Sequence, residues 1–262
     1  VSAGRTLVLW DIDHTLITIG GLSHDIYADA FRSATGQVMR QLADMTGRTE
    51  RAIAADTLRL HHIEASDRTL HFFGIALAES FLTYEEAIRK RGRVLDGAIE
   101  ILATLADRPD VVQSVLTGNM EPIAIGKLKA FGLDRFVDFD AGAYGMDHEE
   151  RPELVRLAQQ RATAKYGSAF TADNTVLIGD TPNDVLAGHL GGARVVAVAT
   201  GSCGADALRE AGAELVLTDL SDTPAVIHAI LGVTDGLSRT TPAPLPPGHA
   251  PAAPSCKPTG RP

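Results

Sequence analysis

Several things are scarce in this sequence, and each scarcity excludes a class of function. There are only two cysteines in 262 residues, Cys203 and Cys256, and they lie far apart. They suggest neither a disulfide framework nor a zinc site, and they point to a reducing compartment. Positive charge is also short: 24 Lys and Arg stand against 33 Asp and Glu, a net charge of −9. No basic stripe advertises nucleic acid or an anionic membrane. An anionic ligand must therefore be met by local charge, from a metal ion, a few Lys or Arg side chains, or helix N-termini. No apolar run approaches the ~20 residues needed to span a bilayer. The first apolar stretch, Leu7 to Trp10, is short and runs straight into acids, unlike a signal peptide. A soluble cytoplasmic protein is expected.

What is present is a repeating form. Thr6 to Trp10 is a short apolar run ending at Asp11. Val111 to Leu116 ends at Thr117, Thr175 to Ile178 at Gly179-Asp180, and Arg194 to Ala199 at Thr200-Gly201. Such runs, separated by helix-length segments, read as buried strands of a parallel sheet, with Leu215 to Leu217 as a further edge strand. Residues 153–166 carry Leu154, Leu157, Ala158 and Ala162 on one helical face behind Pro152. Met120 to Phe131 reads as a helix stopping at Gly132. The alternation predicts an α/β fold with a doubly wound parallel sheet.

Residues 22–90 break that rhythm. Tyr27, Ala30, Phe31 and Ala34 recur at helical spacing, with Ser23 as an N-cap and Gly36 as a stop. Further helical stretches cover 49–64 and 69–90. Two readings are open: helices packed on the sheet, or a small all-helical domain inserted after the first strand through Ile19-Gly20-Gly21 and Arg91-Gly92-Arg93. The second divides the chain into a core of residues 1–18 and 94–234 and a helical cap of residues 19–93. From residue 235 the chain holds eight of its thirteen prolines and little aliphatic content, so 235–262 is expected to be a disordered tail.

Ligands of a parallel α/β sheet bind outside the carboxyl ends of its strands. The first end gives Asp11-Ile12-Asp13-His14-Thr15-Leu16, two carboxylates able to present a nucleophile and a proton donor to one atom. The second gives Leu116-Thr117-Gly118-Asn119, a hydroxyl and backbone amides at a helix start, suited to phosphate oxygens. A third gives Gly179-Asp180-Thr181-Pro182-Asn183-Asp184, an acidic loop of the kind that holds Mg²⁺. Taken singly, each is also an ordinary capped turn. His61-His62 reads as a helix face, with no partner at metal-ligand spacing.

In this order and placement, these motifs resemble those of the haloacid-dehalogenase superfamily. The likeness is to members with a helical cap after the first motif, such as phosphoglycolate phosphatases and β-phosphoglucomutases, and it extends from residue 6 to about 230. It implies a Rossmann-like core and a covalent mechanism. Asp11 would attack phosphorus, while Asp13 would protonate the leaving oxygen and then activate water. Mg²⁺ would be held by Asp11, the backbone carbonyl of Asp13, and Asp180, with Asp184 nearby as a water-mediated ligand or organiser. Thr117, Gly118 and Asn119 would receive the phosphate. The family expects a Lys or Arg before its last motif, and Arg151-Pro152 fits better than Lys127, which reads as helix-surface decoration. His14 stands where relatives usually carry Gly, as a loop residue in reach of substrate or cap. Thr46-Gly47-Arg48-Thr49 resembles the turn through which such caps reach the substrate, with Arg48 as a clamp or the turn as a plain helix start.

The resemblance implies a Mg²⁺-dependent phosphatase acting on a small phosphorylated metabolite, of the phosphoglycolate, sugar phosphate or nucleoside monophosphate class. Two alternatives use the same residues: a phosphomutase of the β-phosphoglucomutase type, and a non-catalytic binding module with this fold. Neither a nucleic acid nor a membrane is expected as partner, and the sequence is silent on oligomeric state.

Overall fold

The computed structural model describes residues 4–232, and the Pro-rich tail expected from 235 lies outside them. Seven strands and ten α-helices follow one another along the described residues. They are β1 (Thr6–Trp10), β2 (Ile17–Thr18), α1 (Ser23–Thr35), α2 (Glu50–Leu60), α3 (Asp67–Thr83), α4 (Glu85–Arg91) and β3 (Arg93–Val94). Then come α5 (Ala98–Ala106), β4 (Val111–Val115), α6 (Glu121–Ala130), α7 (Arg151–Tyr166), β5 (Thr175–Gly179), α8 (Pro182–Gly191) and β6 (Arg194–Val198). The order ends with α9 (Ala205–Glu210), β7 (Val216–Leu217) and α10 (Thr223–Leu231).

Five strands form a sheet in the order β4-β1-β5-β6-β7, and every pairing in it is parallel. Leu7 to Trp10 of β1 are all fully buried, as a strand covered on both faces requires. Alternation along β1 sends Leu7 and Leu9 into a cluster with Leu154, Val155 and Ala158 of α7. Val8 and Trp10 face the opposite way, into a cluster with Ile101 and Leu105 of α5 and Ile230 of α10. Helices therefore cover both faces, as the doubly wound reading expects. From β1 the chain leaves to β4 on one side and then returns to β5 on the other. Such a switch point opens a crevice at the carboxyl ends of the strands, here at Asp11.

Between β1 and α5 the chain makes four helices, entered and left through β2 and β3. These two short strands pair antiparallel, Ile17 with Val94 and Thr18 with Arg93, a link absent from the sequence reading. The stretch expected to be helical over 69–90 is helical as two helices, divided at Tyr84. Ser23 is the first residue of α1 and not its N-cap, which is Leu22 with no side-chain bond. Thr49 does cap α2, accepting from the amide of Ala52. Helices α1 and α3 pack through Tyr27, Phe31, Phe73 and Leu77, and this apolar cluster runs unbroken through Ile12, Leu16, Phe81 and Ile123 to the sheet.

Cys203 is buried. Among the described residues no helix is long and apolar enough to cross a membrane.

Candidate active site

Asp11 leaves β1 with its amide bonded to the carbonyl of Ile178 (2.9 Å), so strand pairing itself fixes the start of the loop. Its carboxylate is buried, and Arg151 Nη2 donates to Oδ1 at 2.7 Å. Arg151 is the first residue of α7, with Pro152 behind it in the first turn, and its guanidinium is itself buried. The same Nη2 lies 2.6 Å from Asp184 Oδ1. Burial opposes the charge on Arg151, but Asp184 and Asp11 outweigh it and hold the guanidinium firmly protonated.

Asp11, Asp180 and Asp184 each offer an oxygen within 4.8 Å of the others, and all three are buried. Thr15 Oγ1 lies between two of them, 3.3 Å from Asp11 Oδ2 and 3.5 Å from Asp180 Oδ1. Burial, then the charge of Asp184, pushes the Asp11 carboxyl up to about 7. Burial and the charge of Asp11 push Asp180 well above the carboxylate range. Asp184 is fixed by the reciprocal cap of α8. Its Oδ2 accepts from the amide (3.0 Å) and hydroxyl (2.6 Å) of Thr181, which leaves the buried Oδ1 to the Arg151 guanidinium. Three hard oxygen donors, two of them strained toward protonation, against one guanidinium make a set that fits a divalent cation such as Mg²⁺. Gly201 backs the site closely: a Cβ there would lie 1.7 Å from Asp180 Oδ2.

Asp13 points elsewhere. Both its oxygens accept from Lys127 Nζ, at 2.8 and 2.6 Å, and Asn119 Nδ2 donates to Oδ2 at 2.7 Å. Burial alone would raise this carboxyl, but the Lys127 charge and the two sets of hydrogen bonds outweigh it and hold Asp13 below its ordinary value. Lys127 is therefore no surface residue, contrary to the sequence reading. It is 4% exposed and lies on the face of α6 that also buries Ile123, Ala124 and Leu128. Its position four residues after Ile123 is the signal that identifies it. Arg151 and Lys127 are not rivals: one pairs with Asp11 and the other with Asp13.

Thr117 is buried, and its Oγ1 accepts from the amide and side chain of Asn119 (3.2 and 2.8 Å). Asn119 thus ties Thr117, Asp13 and Lys127 together, its Oδ1 accepting from Lys127 at 2.7 Å. His14 is exposed at the rim, and its backbone is left-handed at φ 61°, which accounts for a glycine-preferring position. Its carbonyl accepts from Thr200 Oγ1.

The four-helix segment is docked onto this site through its main chain. The amides at the start of α2 donate across to the sheet domain's loops, Glu50 to the Gly118 carbonyl (2.7 Å) and Arg51 to that of Gly145 (3.0 Å). Thr49 Oγ1 donates to the Glu149 carbonyl (2.8 Å), and Asn183 Nδ2 to that of Thr46 (2.7 Å). The approach is close because glycines allow it: a Cβ on Gly118 would lie 2.0 Å from the Arg48 carbonyl, and one on Gly145 only 1.6 Å from that of Gly118. The Arg48 side chain is not brought to Asp11. Its guanidinium is committed to Asp56 (2.6 Å) and to the Asp44 carbonyl (3.2 Å), both within the segment. Glu50, a buried carboxylate, was not found from sequence, because an acid in a helix's first turn reads as a dipole partner.

Comparison with known proteins places the chain in a family. A family model described as haloacid dehalogenase-like hydrolase matches residues 8–189. Among curated proteins, the chain is 29% identical over 141 residues to "Probable phosphatase IndB" of Dickeya dadantii, covering 53% of this chain and 58% of that one. It is 26% identical over 128 residues to "Pyrophosphatase PpaX" of Halalkalibacterium halodurans, covering 48% and 56%. The match thus spans little more than half the length of these relatives. Among solved structures, a "predicted phosphatase" from Clostridium acetobutylicum superposes with a TM-score of 0.63 at 15% identity, covering 86% of this chain and all of that one.

Proposed function

The chain belongs to the haloacid dehalogenase-like hydrolase family, and from that premise we propose that it is a phosphatase, hydrolysing a small phosphomonoester through a phosphorylated Asp11. The observation that carries this reading is the convergence of Asp11, Asp180 and Asp184 within 4.8 Å under the Arg151 guanidinium at the switch point of the sheet.

In this reading Asp11, the backbone carbonyl of Asp13, and Asp180 would hold Mg²⁺, with Asp184 organising them. The ion, when bound, offsets the repulsion between an anionic nucleophile and an anionic phosphate. The Asp11 oxygen not paired with Arg151 attacks phosphorus as the ester P–O bond breaks. Asp13, once it has taken up a proton from solvent as the phosphomonoester binds, gives that proton to the departing oxygen, then takes one from a water that attacks the phospho-aspartate and frees inorganic phosphate. General acid–base help of this kind is worth ~10²–10⁴-fold. Lys127 and Asn119 keep Asp13 ionised in the absence of substrate. The negative charge of an arriving phosphoryl group offsets Lys127 and raises the proton affinity of Asp13. Thr117, the Gly118 amide and Asn119 receive phosphate oxygens, with His14 at the rim. Residues 19–93 act as a cap hinged at β2 and β3 over a core of residues 1–18 and 94–234. Arg48 reaches the substrate only if the cap rearranges from the docked geometry.

Phosphate release from p-nitrophenyl phosphate and a panel of small phosphomonoesters tests the reading, with Mg²⁺, with EDTA and with Asp11→Asn. Metal-dependent release that disappears in the variant is expected. A folded protein that releases no phosphate with Mg²⁺ present overturns it.

A further inference from the structure

At the opposite end of the strands from Asp11 lies a pocket of about 290 Å³. It forms where β1 and β4 begin and α5 and α7 end, between Arg5, Leu105, Val111 and Tyr166, with Arg135 and Phe136 on the remaining side. Its volume is close to the lower bound of small-molecule sites, ~300–1,000 Å³, and the surface it offers is more polar than apolar. Asp11 stands six residues beyond Arg5 along β1, ~20 Å at the rise of a strand, so a small molecule cannot occupy both places.

The wall is rigid and carries uncompensated positive charge. Gln113, which lines the pocket, is held at both ends of its amide: Oε1 accepts from Trp10 Nε1 (3.1 Å), and Nε2 donates to the carbonyls of Leu102 (2.9 Å) and Phe136 (3.3 Å). Neighbouring cations have partners, Arg108 in Asp110 (3.0 Å) and Lys165 in Asp138 (2.7 Å). Arg5 and Arg135 differ: among the described residues neither makes an ion pair, and each guanidinium lies over a ring instead. Arg5 is 5.5 Å from the centre of Tyr166, and Arg135 is 4.5 Å from that of Phe136. Such stacking restrains the plane of the fork and leaves the N–H donors along its edge unspent. Asp138, the acid in the lining, does not answer them, because Oδ1 accepts from Lys165 and Oδ2 from the Tyr166 hydroxyl.

We infer that this pocket is a second ligand site, separate from the catalytic one, and that it takes a compact dianion through Arg5 and Arg135. Each fork matches a carboxylate or a phosphoryl group, giving two parallel N–H bonds to two oxygens. Two negative charges on a small polar body are the shared chemistry, and a dicarboxylate or a phosphate supplies it. A neutral molecule of the same shape leaves both guanidiniums unanswered. The polar surface of the pocket argues against a lipid chain or a large aromatic body. This inference goes beyond the phosphatase reading and does not rest on it.

Calorimetric titration of metal-free wild-type protein with succinate, inorganic phosphate and neutral succinamide tests it. Without metal the carboxylates of Asp11, Asp180 and Asp184 disfavour an anion at the catalytic end, so the two sites are separated. At least one dianion should bind with a Kd below about 1 mM, and succinamide at least about tenfold more weakly. Binding of succinate alone identifies a carboxylate ligand, and binding of phosphate alone a phosphoryl ligand. Arg5→Gln and Arg135→Gln should each weaken the bound dianion about tenfold or more. Both side chains are at least partly exposed, and an unchanged thermal unfolding curve shows that each variant folds. Absence of binding by both dianions, succinamide binding as tightly as they do, or affinity unchanged in both folded variants overturns the inference. Failure of the phosphatase reading shows separately, in the phosphate-release assay with Mg²⁺.

Discussion

Replacing Asp11 by asparagine removes the proposed nucleophile, and the electrostatics of the site predict that the metal-free protein becomes more stable for it. Burial and the neighbouring charge of Asp184 lift the Asp11 carboxyl from 3.8 to about 7. The sign follows from linkage: below the unfolded value both states hold the proton and nothing is lost. As pH rises from about 4 to about 7 the unfolded chain gives up its proton first, and the folded state loses stability until the penalty is complete above about 7. A lift of roughly three units at ~1.4 kcal/mol each bounds the penalty on the order of 4 kcal/mol. Asp180 shares the same field, so about half of that, ~2 kcal/mol, is the expected return from one neutralised carboxylate. For a chain of this size this raises the melting temperature by about 4–8 °C. Thermal unfolding in EDTA at pH 8 should show Asp11→Asn above the wild type, with the gain gone by pH 4. Mg²⁺ at pH 8 should then stabilise the wild type more than the variant. A variant no more stable than wild type in EDTA at pH 8, or a gain independent of pH, refutes the reasoning.

Three other outcomes are expected. Lys127→Met leaves Asp13 without its ammonium partner, so the acidic limb of the kcat/KM–pH profile moves to higher pH. Urea denaturation should show a loss of about 1–3 kcal/mol, less than a fully buried pair because the Asp13 side chain is 32% exposed. Gly145→Ala drives a Cβ into the Gly118 carbonyl and the Glu50 amide, breaking the docking bonds. Losing two main-chain bonds of ~1 kcal/mol each raises KM about thirtyfold, and hydrogen exchange at Glu50 and Arg51 should accelerate. Arg151→Lys keeps the charge but its ammonium ends one bond short of the Nη2 that meets both Asp11 and Asp184, so kcat should fall about a hundredfold or more while the protein stays folded by circular dichroism.

The sheet was legible because buried parallel strands write themselves as short apolar runs, and their carboxyl ends share one edge. Asp11, Asp180 and Asp184 could be grouped on that ground alone. Arg151 and Lys127 could not, since strand periodicity says nothing about which cation on a following helix turns inward. Lys127 was misread because a Lys-Leu-Lys run looks solvated, although its spacing from Ile123 placed it on the buried face. Arg48 was judged from a turn motif, but the structure commits its guanidinium to Asp56, a pairing eight residues along that no strand-end argument addresses. Glu50 escaped entirely, because burial of a first-turn acid depends on what docks over it. The paired β2 and β3 were too short, at two residues each, to leave any alternation.

Besides its apolar contact, the helical segment is tied to the sheet domain by main-chain groups, the amides of Glu50 and Arg51 on the carbonyls of Gly118 and Gly145. Those bonds read no side-chain identity at positions 50 and 51. A lineage could exchange either side chain and leave these two docking bonds in place.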